Sequence, residues 1–146
     1  MTGFAMHVGI DDARVRKALA GIEAAASDMS PAMDEIGSML VASVLRRFET
    51  ETAPSDKPWK PSRRAREKGG QTLTDTGRLR DSITHRHGSD FVEVGTNVIY
   101  SAIHQFGGRA GRGHAATIPA RPFIGLDAGD EAEIVEIITD HLRGLQ

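Results

Sequence analysis

Residues 84–95 read Thr-His-Arg-His-Gly-Ser-Asp-Phe-Val-Glu-Val-Gly, and their reading sets the fold class. Gly88-Ser89-Asp90 is a turn cluster between two short runs, 84–88 and 91–94. Such a pattern predicts a β-hairpin. Side chains alternate along a strand, so Phe91 and Glu93 should face one way and Val92 and Val94 the other. On either side the pattern turns helical. Residues 73–83 predict a short helix, capped by Asp75 or Thr76, with Leu79 and Ile83 inward. Residues 99–106 predict another, with Ile103 and Phe106 three apart.

Two longer helices lie further out. Ser30-Pro31 is a start signal, with Ser as cap and Pro in the first turn. Ile36, Leu40, Val44 and Phe48 then form one apolar face, widened by Met33, Val41 and Leu45. This predicts a helix over 31–50, with Arg46 and Arg47 at the end that the helix dipole favours for cations. Residues 127–145 predict a terminal helix with Ile134, Ile137, Ile138 and Leu142 as its stripe. At the start, 1–10 reads as a short strand or arm. Asp11 and Asp12 then cap a helix carrying Val15, Leu19, Ile22 and Ala26 and ending near Asp28. The fold class is α+β within a single domain, 1–146. A small antiparallel sheet with a central β-hairpin is packed by a long helix of the N-terminal half and a C-terminal helix.

Two stretches lack such patterns. Residues 51–72 hold Pro54, Pro58, Pro61 and the basic run Arg63-Arg64-Ala65-Arg66-Glu67-Lys68, with Trp59 as almost their only apolar side chain. They predict a long basic loop, mobile from about 62 to 70. Residues 107–117 predict a glycine-rich loop bearing Arg109 and Arg112. The net charge is only −2, but its distribution is uneven. Residues 57–80 carry eight basic and two acidic residues, whereas 127–140 carry six acidic residues and no Lys or Arg. Identical subunits with one basic and one acidic pole can associate head to tail. Arg63, Arg64, Arg66 and Lys68 would then meet Asp130, Glu131, Glu133 and Glu136 of the next subunit. Arg109 and Arg112, on a flexible glycine-rich segment, could touch a nucleic-acid backbone such as DNA without sequence preference, although a surface loop that orders against a partner is the preferred reading.

Several functions find no support in the residues. Without cysteine there is no disulfide framework, thiol nucleophile or thiolate metal site. No apolar run reaches the roughly 18 residues of a membrane helix, and 1–10 lacks the pattern of a signal peptide. His85 and His87 share a strand face, but no carboxylate stands at a matching spacing, so they read as solvated histidines and no metal is expected. His104 with Ser82 could be drawn as part of a triad, yet no G-x-S-x-G elbow supports it, so no catalytic residues are assigned. The glycine loop lacks the Lys-Ser/Thr ending of a phosphate-binding loop, and no cofactor is implied. The residues describe an interaction module.

Four stretches, in order, resemble the phage virion morphogenesis family, which includes tail-completion proteins. The first is Phe48 followed by Lys57-Pro58-Trp59-Lys60-Pro61. The second is Leu73-Thr74-Asp75-Thr76-Gly77-Arg78-Leu79-Arg80-Asp81-Ser82-Ile83. The third is Val94-Gly95-Thr96-Asn97 with Tyr100-Ser101-Ala102-Ile103-His104-Gln105-Phe106-Gly107, where Ser101 replaces an expected Ala. The fourth is Ile118-Pro119-Ala120-Arg121-Pro122-Phe123-Ile124-Gly125.

The resemblance implies a non-enzymatic structural protein of the head–tail joining region of a tailed phage. It would be made in the bacterial cytoplasm and built into the virion at the neck or tail end. Tail-completion and tail-terminator proteins cap the tail tube as rings, often hexamers, and meet the head connector. The expected partners are therefore other copies of this chain, the tail tube and the connector. Among the matched residues, Trp59 should dock on the body or on a neighbour. Gly77, Gly95 and Gly107 should serve tight turns or positive φ. Tyr100, Phe106 and Phe123 should form the core cluster around the hairpin. Leu79, His104, Arg121 and Pro122 complete the set of structural residues.

Overall fold

In a computed structural model, residues 3–9 and 28–144 are described. The expected helix through Val15, Leu19, Ile22 and Ala26 lies outside them. The described elements are β1 (Ala5–Gly9), α1 (Ser30–Thr50), α2 (Arg63–Lys68), α3 (Arg78–Asp81), β2 (Thr84–His87) and β3 (Phe91–Gly95). They continue with α4 (Ser101–Phe106), β4 (Gly108–Ala110), a 3-10 turn (Arg112–His114), β5 (Ala116–Ile118) and α5 (Ala128–Gly144).

The hairpin forms where its sequence places it. β2 and β3 pair antiparallel, and the N-terminal strand β1 joins on the far side of β3, giving the order β1-β3-β2. Val92 and Val94 are buried, while Phe91 and Glu93 lie on the other face, half-buried. Arg86 stands opposite Glu93 and its Nε donates to the carboxylate at 2.8 Å. Such a cross-strand pair supports the register. Gly95 keeps an extended backbone. Its role is close approach, because a Cβ there would fall 2.4 Å from the Cβ of Ala5 on β1.

α1 is the organising element. Pro31 stands in its first turn, but the capping differs from the expectation. Ser30 is already helical, and Asp28 accepts from its N–H at 2.9 Å and its hydroxyl at 2.6 Å. The apolar stripe Met33, Ile36, Leu40, Val44 and Phe48 is fully buried. It joins one core with Val92 and Val94 of the sheet and Ile137, Ile138 and Leu142 of α5. Each such side chain removed from water stabilises by about 1.5–3 kcal/mol. The helix ends at Glu51, whose left-handed backbone (φ 56°) lets its N–H return to the Arg47 carbonyl.

Residues 51–72 are not the structureless loop expected. Thr52 and Pro58 form a β-bridge, and the Trp59 N–H reaches the Glu51 carbonyl at 2.7 Å. The basic run folds as α2, capped by the Ser62 hydroxyl, which accepts from Ala65 N–H at 3.1 Å. Thr72 closes the segment, its hydroxyl accepting from Ser62 N–H and its own N–H donating to Glu51 Oε1. Local capping outweighs the low apolar content, since it satisfies backbone groups that a loop would leave to water.

Two further readings are corrected. The helix expected over 73–83 shrinks to the single turn α3. Gly77 caps it at φ 81°, where a side chain would be strained, and Thr76 accepts from the Arg78 N–H. Leu79 and Ile83 do point inward. The glycine-rich stretch is a second hairpin, in which β4 pairs with β5 in the register Arg109↔Thr117. Gly107 turns the chain from α4 into it. Its φ is +73°, and a Cβ would lie 2.7 Å from the Ala120 nitrogen, so only glycine fits both conditions.

Candidate assembly interface

The fourth stretch of the family pattern, 118–125, is where the first and the third meet. Trp59 docks on its own chain, so it is withdrawn from the expected subunit contact. It is buried, its Nε1 donates to the Pro122 carbonyl at 2.8 Å, and its ring meets Phe48 edge-on at 5.6 Å. Gln105 of α4 is buried and clamps the same segment. Its Oε1 accepts from the N–H groups of Phe123 and Ile124, and its Nε2 donates to the Ile124 carbonyl. Arg121 is buried too, donating through Nε to the Lys60 carbonyl at 2.6 Å. Phe123 is wholly buried against Phe48, with ring centres 5.4 Å apart.

The expected aromatic core is therefore only partly correct. Phe123 is inside, but Tyr100 is 42% and Phe106 63% exposed. Ile99 is 86% exposed. The short α4 turns one face inward, with Ser101 and Gln105 buried, which leaves Phe106 outward. Phe106 rests edge-on against Phe4, 4.9 Å between centres. Arg78 lies over the outward Tyr100 ring at 5.9 Å. Ile99 carried no weight in the sequence reading, although an isoleucine beside a motif tyrosine was a signal in plain view.

Beside Tyr100 lies an open cleft of about 240 Å³, lined by residues that include Arg64, Arg78, Tyr100, His104 and Arg121. His104 has a buried Nδ1 without a hydrogen-bond partner among the described residues. Burial, and then the charge of Arg121, hold its imidazole below the usual histidine range. Asp75 also lines the cleft, 3.7 Å from Arg64. Three guanidinium groups around one cleft suit an anionic side chain of a partner.

The charged residues divide in a way the sequence did not reveal. On α2, Arg63, Arg66 and Lys68 are exposed. Among the described residues Arg63 pairs only with the exposed Glu67. Arg64 is half-buried and turned inward, donating to the Gln71 carbonyl at 2.7 Å. Arg109 and Arg112 are exposed on the second hairpin. On α5, Glu131, Glu133 and Glu136 are exposed, but Asp130 is not. It is buried, so it leaves the expected acidic outer face. One oxygen meets Arg47 Nη2 at 2.7 Å and the other accepts from the Ser43 hydroxyl at 2.7 Å. Arg47 is equally buried, and its Nη1 donates to the carbonyls of Phe123 and Gly125, each at 3.0 Å. Arg47 is thus a core residue rather than a charge at an open helix end.

The histidines of β2 also find a partner that the sequence reading missed. Asp34 of α1 stands 2.9 Å from His85 Nε2 and 3.5 Å from His87 Nδ1. The carboxylate sits on another element 51 residues away, so no local spacing could reveal it.

Among the described residues no helix is long and apolar enough to cross a membrane. No solved structure matches this chain significantly. Two curated proteins are similar over most of their length. A Mu-like prophage FluMu G protein 2 of Haemophilus influenzae is 37% identical over 139 residues, covering 94% of this chain and 96% of that protein. A putative capsid assembly protein G of Escherichia phage Mu is 33% identical over 144 residues, covering 91% of each. The sequence profile of the phage virion morphogenesis family matches residues 10–143. That family is one of particle morphogenesis and not of enzymes. With the profile spanning nearly the whole chain, and a relative above one-third identity end to end, this chain belongs to the phage virion morphogenesis family.

Proposed function

We propose that this protein is a ring-forming structural component of the neck of a phage particle. It completes the tail and presents the surface to which the head connector attaches. The observation that carries the reading is the outward placement of Ile99, Tyr100 and Phe106. They lie in or beside the family pattern, yet the described residues do not bury them. Large apolar side chains left at the surface by the described residues favour a partner, and tyrosine is enriched where partners bind tightly.

The charges supply direction. Arg63, Arg66 and Lys68 on α2 meet Glu131, Glu133 and Glu136 on α5 of the next copy. None of the ion pairs among the described residues joins these two helices within one chain. Such contacts steer association and fix its register more than they add affinity. The second hairpin carries Arg109 and Arg112 toward the channel or the adjoining ring, where passing DNA is within reach.

The test is charge reversal at all three basic positions, Arg63→Glu, Arg66→Glu and Lys68→Glu. The triple variant is expected to remain a folded monomer by circular dichroism and to form no rings by electron microscopy. Reversing Glu131, Glu133 and Glu136 to Lys in the same chain should restore them. Rings that persist unchanged in the triple variant would sink the contact.

A further inference from the structure

We propose that Asp34, His85 and His87 form a binding site for a divalent transition-metal ion of the zinc class, joining α1 to the edge strand β2. His85 and His87 alternate on β2, so their rings project from one face of the sheet, 6.3 Å apart at their centres. Both converge on a single carboxylate oxygen. Asp34 Oδ1 lies 2.9 Å from His85 Nε2 and 3.5 Å from His87 Nδ1. All three ligand atoms lie within 4.8 Å of one another. A tetrahedral ion with ligands at about 2.0–2.1 Å holds neighbouring ligand atoms about 3.3 Å apart. Small side-chain rotations reach that arrangement from the present one.

A hydrogen bond between His85 and Asp34 explains one imidazole but not the second. His87 is held over the same oxygen with no hydrogen bond to it among those the structure forms. The helix is also shaped for His85. Gly37, one turn after Asp34, is buried under the ring, and a Cβ there would lie 2.1 Å from His85 Cδ2. Glycine inside a helix is unfavourable against alanine. Here it opens the seat that lets His85 lie flat and aim Nε2 at Asp34.

Two imidazoles and one carboxylate are the donor set of zinc and of neighbouring first-row ions, not of magnesium or calcium. Three protein ligands leave a fourth position for water or for a side chain from another molecule. It opens to solvent, because Asp34 and His87 are exposed. Bound metal would tie the long helix to the hairpin across 51 residues of chain.

The experiment is calorimetric titration of zinc chloride into the untagged, chelator-treated full chain. Uptake of one ion per chain is expected, with a rise in melting temperature on the order of 5 °C at saturation. Asp34→Asn and His87→Gln change exposed side chains and should leave the circular dichroism spectrum intact. Each should weaken zinc binding more than about tenfold, the loss that even an outer partner of a metal site can cause. His114→Gln, on the second hairpin, should bind zinc as the parent does. Absence of stoichiometric uptake, or uptake unchanged in both Asp34→Asn and His87→Gln, would overturn the proposal.

Discussion

Asp130→Ala is expected to lower the unfolding free energy by up to about 3–5 kcal/mol, the range for removing one partner of a buried ion pair. Arg47 and Asp130 are both buried, and their 2.7 Å contact lies where α1 meets α5. Removing the carboxylate leaves Arg47 its longer 3.4 Å contact with Asp127 and its two carbonyl acceptors, and orphans the Ser43 hydroxyl. Pairing the change with Arg47→Met should recover part of the loss. Recovery stays incomplete because the Phe123 and Gly125 carbonyls then lose their donor, at about 1–3 kcal/mol for each one left unsatisfied. The whole cycle can be read from urea denaturation. A single variant within 1 kcal/mol of the parent, roughly the level of an exposed pair, would show that this contact is not the junction of the two helices.

The same network sets the acid limit. Burial raises the Asp127 carboxyl, but the Asp130 N–H and Arg47 outweigh it and hold it below its ordinary value. A carboxyl depressed in the folded state contributes stability above its unfolded pKa. That contribution disappears as pH falls through the folded value. Stability should therefore decline below about pH 4, where carboxylates begin to protonate. Asp127→Asn should flatten that decline.

Phe123→Ala is expected to cost a further about 3–5 kcal/mol, the usual penalty for deleting a wholly buried aromatic ring. Phe123 has no exposure and packs on Phe48, which in turn supports Trp59. Natural domains are stable by only about 5–15 kcal/mol. The variant should therefore melt far below the parent, if it folds at all. Phe123→Leu refills most of the space and should lose less. Trp59 is the sole tryptophan, so its fluorescence reports the site directly. Its emission should shift to the red in folded Phe123→Leu as the packing around the indole loosens.

Much of the fold was legible because periodicity reports burial. The hairpin, the long helix and the terminal helix follow from Val92 and Val94, from Ile36 to Phe48, and from Ile137, Ile138 and Leu142. The basic run was misread because its apolar content is low. What folds it is Ser62 at the cap and Thr72 beneath, interactions that composition does not show. The buried ion pair was readable in principle. Arg47 stands seven residues after Leu40, and Asp130 seven before Ile137, so each charge falls on its helix's apolar stripe. Two opposite charges on two buried stripes call for each other. The exposure of Tyr100 and Phe106 was beyond sequence reading, since an apolar spacing of three does not say which face of a short helix is covered. The carboxylate beside His85 and His87 required the tertiary contact of α1 with β2.

The ring is the central claim, and it is tested most directly by the mass of the purified chain in solution. Light scattering would be measured across a range of concentrations, with electron microscopy of the same sample. A closed ring is predicted, alone or on addition of tail tubes, with a mass that is a small whole-number multiple of 15.7 kDa. A strict monomer that ignores tail tubes would contradict the account. If that monomer instead bound DNA, with an affinity falling linearly in log–log salt as counterions are released, the exposed arginines would belong to a nucleic-acid surface.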